Sequence, residues 1–237
     1  MSDVNLSIKY LPLDALNSLD YLKLFVYSNK NQNYYWCDDY TPEYYILQAQ
    51  RGFIAVTERV KNKELLIPEI QFNYALLDFK DLHISRKVAK LLKKENLEIT
   101  IDQNFELVYN GIKDSHKNCW LTPKYIDTLK EANKLNRDFK AVAVYIKKDG
   151  KIPAGEIGYF IGKTYTSLSG FSLKDKCYNN YGKAQLVMLA KVLEGLNVEF
   201  WNLGHPFMKY KIDLGAKVYP RDEFLKRWEA SISNKKF

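Results

Sequence analysis

From Arg86 to Lys94 the apolar residues Val88, Leu91 and Leu92 recur at helical spacing while Arg86, Lys87, Lys90, Lys93 and Lys94 take the other positions. This stretch predicts an amphipathic helix with a basic outer face, and Ser85 before it is placed to cap its free amides. A second helix is predicted over residues 182–193, with Gly195 as its stop. Thr41 as N-cap and Pro42 as first residue open a third, in which Tyr45 and Ala49 turn inward. A fourth is expected near residues 13–24. Runs at 52–56 and 64–67 read as two strands around a charged turn, and further strands are expected at 141–146, 155–161, 164–168 and 198–201. Helices and strands alternate from Leu82 onward, which predicts an α+β domain on a mixed sheet. With the first part read as a smaller α/β unit, the expected domains are 1–74 and 75–237.

At 237 residues and 46% hydrophobic content the chain can bury a full core. Its formal charge is +8, from 36 Lys+Arg against 28 Asp+Glu. Such a surplus is the footprint of a polyanion partner, because each neutralised phosphate releases condensed counterions. A general bias toward lysine produces the same number without one. The basic face at Arg86, Lys87, Lys90 and Lys94 therefore has two readings, a grip on RNA phosphates or a solvated surface. Cys37, Cys119 and Cys177 are far apart and form no C-x-x-C pair, so neither a disulfide framework nor a zinc site is expected, and the compartment is expected to be reducing and cytoplasmic. His116 and Cys119 have ligand spacing but no second pair, so no metal is expected. The segment through Phe25 scatters charges among its apolar residues, and no apolar run approaches ~18 residues. Neither a secretory signal nor a transmembrane helix is expected.

Three segments carry a more specific signal. They are Leu82-His83-Ile84-Ser85-Arg86-Lys87, then Ile99-Thr100-Ile101-Asp102-Gln103-Asn104-Phe105, then Cys119-Trp120-Leu121-Thr122. In order, spacing and residue type they resemble the L-H-[IV]-S-R-S, V-T-x-x-x-A-F and T-W-[IL]-T patterns of the leucyl/phenylalanyl-tRNA protein transferases. The likeness extends upstream, where Thr41-Pro42 through Ala49 to Gly52-Phe53-Ile54 resembles S-P-x-x-L-x-x-A-Y-x-x-G-I-F. Downstream, residues 162–172 line up with G-x-x-F-x-G-E-S-M-F-S, Lys183 with the lysine of A-S-K-T-A-L, and Leu214-Gly215-Ala216 with S-L-G-A. Leu203-Gly204 and Met208-Lys209-Tyr210-Lys211 also look like the L-G-Y and M-x-Y-K of the arginyl-type tRNA protein transferases.

The resemblance implies a GNAT-like acyltransferase fold for the larger domain and transfer of an aminoacyl group from charged tRNA to the N-terminal α-amine of a protein or peptide. It implies no cofactor and no membrane partner, and a monomer is the working expectation. It places His83 and the basic residues Arg86, Lys87, Lys90 and Lys94 against tRNA. Trp120, Leu168, Ser169, Phe171 and Lys183 fall in the substrate pocket. As plain structure, the aromatics would be core, Lys183 a solvated residue, and His83 a local partner of the helix cap.

The departures fall where the chemistry is expected. Leu168 replaces the glutamate of G-E-S-M-F-S. The aspartate of the family's D-C-Q is absent whether that motif falls on Leu203-Gly204-His205 or on Asn202-Leu203-Gly204. The tryptophans of W-W-S-P fall on Pro68 and Glu69, or on Leu65 and Leu66. One carboxylate has a candidate replacement. If the strands beside Gly162-Lys163 form a hairpin with a three-residue loop, Glu156 sits across from Leu168 on the same face and takes the missing glutamate's space; otherwise it is a solvent-facing strand residue. His205 is a candidate proton relay, since an unperturbed imidazole titrates near ~6.5, or a loop residue before Pro206. Asn202 either orients the ester or makes a strand-end turn.

A rival function comes from Asn179-Asn180-Tyr181-Gly182-Lys183-Ala184, which approaches the [QR]-x-x-G-x-[GA] loop of CoA-dependent GNAT enzymes. A CoA-dependent N-acyltransferase, and a catalytically silent tRNA-binding relative, are the alternatives to an aminoacyltransferase.

Overall fold

The two-residue period of a pleated strand sets the layers. In the computed structural model, which describes residues 8–135 and 138–233, Ala141, Ala143 and Tyr145 join one core while Val142 and Val144 of the same strand join another. Residues 1–7, part of the opening segment read for targeting, lie outside the described residues.

In chain order the first elements are β1 (Lys9–Tyr10), α1 (Leu13–Asn17), α2 (Leu19–Tyr21), a π-helical turn (Leu22–Tyr27), β2 (Tyr35–Trp36), α3 (Pro42–Gln50), β3 (Ile54–Val60), β4 (Lys63–Glu69) and β5 (Asn73–Leu77). Next come α4 (Arg86–Lys94), β6 (Glu98–Asp102), α5 (Phe105–Ser115), α6 (Pro123–Lys134), β7 (Phe139–Lys148), β8 (Lys151–Ile161) and β9 (Thr164–Ser172). The chain continues through α7 (Tyr181–Gly195), β10 (Phe200–Asn202), α8 (Lys209–Asp213), β11 (Lys217–Pro220) and α9 (Arg221–Ser233). A seven-stranded sheet runs in the order β11-β5-β10-β9-β8-β7-β6. Its neighbours are antiparallel except β9 and β10, which run parallel with Thr164, Tyr165 and Thr166 opposite Phe200, Trp201 and Asn202. The crossover that a parallel pair requires is supplied by α7.

One face of the sheet packs Phe105, Val108 and Ile112 of α5 and Tyr125, Ile126 and Leu129 of α6 against Ala141, Ala143, Ile157 and Tyr159. The other packs Val88 of α4 and Ala184, Val187, Ala190 and Leu193 of α7 against Val142, Val144, Phe160, Tyr165 and Trp201. Each large apolar side chain so buried contributes about 1.5–3 kcal/mol, so α7 is held firmly where its first turn meets the end of β9. The expected caps form: Thr41 Oγ1 accepts from Tyr44 N at 3.3 Å and Ser85 Oγ from Val88 N at 3.4 Å.

Four expectations are corrected. The helix near residues 13–24 is interrupted, because α1 ends at Asn17 and Ser18 accepts from Tyr21 N to cap a new start. The helix at 182–193 is stopped by Asn197, which takes the left-handed position (φ 58) that Gly195 was expected to fill. The division at residue 74 cuts through β5, and one buried cluster joins Leu11, Leu16 and Tyr44 to Ile157, Phe200 and Trp228. Finally, the β8–β9 turn has two residues rather than three, with Ile161 paired to Thr164, and a bulge follows between Ile157 and Gly158. The bulge carries Leu168 past the register, so Glu156 faces Gly170 instead of Leu168.

Candidate active site

Between β9 and β10 the sheet splits. Beyond Asn202 the chain stays with β5, through Leu203 N to Ala75 O at 2.9 Å and Ala75 N to Gly204 O at 2.8 Å, while β9 runs on to Ser172. A cavity of about 710 Å³ fills the wedge, bounded by the ends of β8 and β9, the first turn of α7, α8 and the chain before α6.

Glu156 sits in this cavity at 3% exposure. Its Oε1 accepts from Ser167 Oγ at 2.7 Å and Tyr165 Oη at 3.0 Å, and its Oε2 from Gln185 Nε2 at 3.4 Å. Trp201 Nε1 donates to Ser167 Oγ at 2.8 Å, which leaves the Ser167 proton for the carboxylate. Gly158 makes room for this network, since a Cβ there would lie 2.3 Å from Tyr165 Oη and 2.6 Å from the Thr166 carbonyl. Burial pushes the Glu156 carboxyl above its usual range, against the pull of its three donors and of the Lys211 charge.

Lys211 enters from α8 at 5% exposure and also lines the cavity. Its Nζ donates to the carbonyl of Leu203 and, at 2.8 Å, to that of His205. Burial pulls its pKa down to about 8, against the charge of Glu156, which raises it. Sequence reasoning gave Lys211 no role, although it ends the Met208-Lys209-Tyr210-Lys211 segment that resembles M-x-Y-K.

The other expected site residues divide into two sets. Trp120, Leu168, Ser169, Phe171 and Lys183 line the same cavity as Glu156. Trp120 is fixed edge-on against Tyr125 at 5.3 Å, and its carbonyl accepts from Thr57 Oγ1. Lys183 Nζ lies 3.6 Å from Asp213 Oδ2. Asn202 and His205 are not among the residues lining it. Asn202 Oδ1 accepts from Gly204 N at 3.0 Å, a strand-end turn, and its Nδ2 donates to Thr166 Oγ1 at 3.5 Å. The His205 ring turns to Glu69, with Nε2 2.9 Å from Oε2, and stacks on Phe207; what the residue offers near the cavity is its carbonyl. His83 Nδ1 lies 3.0 Å from the Asp213 carbonyl, tying the segment before α4 to the end of α8.

Arg86, Lys87, Lys90, Lys93 and Lys94 are all exposed. Among the described residues only Lys94 of the five has an acidic partner within 4.0 Å, Glu95 at 3.9 Å. This basic face belongs to a helix that packs on α7, whose first turn carries Gly182 and Lys183 into the cavity. Asn180 at φ 70 makes no side-chain cap bond to that turn. Gly182 allows a close approach there, since a Cβ would fall 2.9 Å from Ser172 Cβ. No cluster of three or more metal-ligating side chains, and no helix long and apolar enough to cross a membrane, occurs among the described residues.

These features define an α+β protein with a ligand-sized cavity where its sheet splits, polar through Glu156 and Lys211 and apolar through Trp120, Leu168 and Phe171. Residues 76–229 match the family model described as leucyl/phenylalanyl-tRNA protein transferase, and the chain belongs to that family. It is 28% identical over 148 residues to the leucyl/phenylalanyl-tRNA–protein transferase of Azotobacter vinelandii, covering 61% of this chain and 62% of that one. It is 24% identical over 163 residues to the enzyme so named in Maridesulfovibrio salexigens, covering 67% and 65%. The chain thus matches somewhat under two thirds of the length of these curated relatives. Among solved structures it is similar to L-PGS from Bacillus licheniformis at a TM-score of 0.40 and 15% identity, over 68% of this chain and 49% of that one.

Proposed function

We propose that this chain moves an aminoacyl group from charged tRNA onto an N-terminal α-amine. The observation that carries the proposal is a buried carboxylate, Glu156, held in a cavity with an apolar wall, within a chain of this family. Trp120, Leu168 and Phe171 take the aminoacyl side chain, and Ser169 and Lys183 flank it. Glu156 supplies the negative charge that stabilises a proton as it leaves the attacking nitrogen. An aminoacyl ester is already activated, so positioning the amine against it supplies much of the remaining barrier reduction. Asn202 and His205 act on the reaction by holding the turn that follows β10. A GNAT-like reading of the fold is part of the proposal, supported by a mixed sheet whose one parallel pair, β9 and β10, parts beside the first turn of α7.

The acceptor stem is expected to lie along α4, whose exposed cations flank the helix that enters the cavity. Replacing Lys87, Lys90 and Lys94 with Glu is expected to weaken tRNA binding and to flatten its log-log salt dependence by roughly one unit per lost phosphate contact. All three side chains are exposed, so the fold is expected to persist. Filter binding across a salt series measures the slope; an unchanged slope would remove α4 from the RNA surface.

The transfer itself is tested by incubating the protein with charged tRNAs and, in parallel, acyl-CoA thioesters, with a peptide library as acceptor. Label on an α-amine from charged tRNA alone is the expected result. Label from the thioester would make the chain a CoA-dependent acyltransferase using the α7 amides, and tRNA binding without label would make it a binding protein.

A further inference from the structure

We propose that Lys211 is a catalytic residue, the group that takes the proton from the attacking amine and returns it to the leaving ribose oxygen. The inference rests on the transferase reading above and goes beyond it, because the resemblance sets Lys211 at the end of an M-x-Y-K-like segment but gives it no part in the proton transfer.

The geometry is that of a poised amine. A neutral lysine nitrogen has two N–H bonds and one lone pair. Two backbone carbonyls, of Leu203 and His205, accept from Lys211 Nζ, which leaves the remaining tetrahedral position for the cavity that Lys211 lines. That position holds the lone pair when the group is neutral and a third N–H when it is charged. Glu156 is less suited to the task. Its Oε1 is already occupied by Ser167 and Tyr165, and its Oε2 faces Gln185.

The groups around Lys211 favour switching between the two forms. From β8 the Glu156 charge favours the ammonium. From β9, Tyr165 is committed to Glu156. On α8 itself the Tyr210 phenol, pushed up to about 12 by burial, stays neutral and offers its ring 6.0 Å from Nζ. From α7 the Lys183 charge is answered by Asp213, and the His205 ring is turned away to Glu69. Burial sets the balance, pulling Lys211 down to about 8, so both forms are populated near neutral pH.

The step balances. The amine nitrogen attacks the ester carbon, the new C–N bond forms, and its proton passes to the Lys211 lone pair. The tetrahedral intermediate then collapses, the bond to the ribose oxygen breaks, and Lys211 returns the proton to that oxygen. Products are an amide and a free ribose hydroxyl, with Lys211 neutral again.

Two variants and one measurement without turnover test this. Lys211→Met is expected to lower turnover about 10²- to 10⁴-fold with tRNA affinity unchanged. Lys211→Arg is expected not to rescue it, because a guanidinium stays protonated and has no lone pair to take the amine's proton. In the unliganded wild type, the rate of Lys211 acetylation by acetic anhydride, followed by mass spectrometry, is expected to titrate near about 8. Full turnover in Lys211→Arg would reduce the residue to a charge and overturn the shuttle alone. So would a Lys211 that acetylates only with the ordinary lysine titration near ~10.4. A wild type that transfers from no charged tRNA would overturn the transferase reading and the shuttle with it.

Discussion

Arg221→Met is expected to lower the unfolding free energy by about 3–5 kcal/mol, at the upper end of single-substitution effects. Arg221 opens α9 at 1% exposure. Its Nε donates to Gln71 O at 3.0 Å, one terminal nitrogen to the carbonyls of Val26, Tyr27 and Asn29, and the other to those of Ile70 and Gln32. Two of those carbonyls close the π-helical turn, where positive charge is favoured, and two lie between β4 and β5, so one side chain stitches the N-terminal segment to the sheet. Methionine fills much of the volume but leaves buried acceptors without donors, each costing about 1–3 kcal/mol where water cannot reach. Lysine is no remedy, since three donors on a point charge cannot replace a planar fork. Urea unfolding of wild type, Arg221→Met and Arg221→Lys measures the loss. A change under about 1 kcal/mol in the methionine variant would mean that water takes over the carbonyls.

Arg221 also shows where reading the sequence runs out. As an isolated arginine after Pro220 it carries no periodic signal; its role comes from carbonyls nearly two hundred residues upstream. Elements whose signals are local were legible: α4 through its stripe and Ser85 cap, α3 through Thr41-Pro42, β7 and β8 through apolar runs. Register was not, because it depends on a two-residue turn at Gly162 and a bulge that no composition marks. The site divides in the same way. Glu156 is singled out in the sequence only through an expected register against Leu168 that the bulge displaces, and its partners Ser167, Tyr165 and Gln185 come from β9 and α7. Lys211 reads as one more surface cation in Lys209-Tyr210-Lys211, and only the packing of α8 against the turn after β10 buries it. His205 reads as a candidate relay because an unperturbed imidazole titrates near ~6.5, and the sequence does not show that Glu69, far away along the chain, holds its ring.

Glu156→Gln is expected to reduce turnover about 10²-fold or more while leaving tRNA affinity unchanged, because it removes a charge that matters most when the attacking nitrogen gives up its proton. Glutamine keeps the shape and can still accept from Ser167 and Tyr165, so the cavity is expected to persist. Stability separates lost chemistry from lost fold. The folded Glu156 carboxyl titrates above its ordinary value, so the stability it contributes is complete below the unfolded pKa and falls as pH rises through the folded one. The uncharged amide avoids that loss, and near neutral pH the variant is expected to unfold at a urea midpoint no lower than wild type's. Transfer through a neutral Lys211 is expected to rise with pH through about 8; the Glu156 charge raises Lys211, so without that charge the rise is expected to move to lower pH. A pH series of turnover with saturating donor and acceptor reads both effects. If turnover stays at the wild-type level and the rise does not move, Glu156 is a packed structural carboxylate, and the transfer relies on positioning by the chain around it.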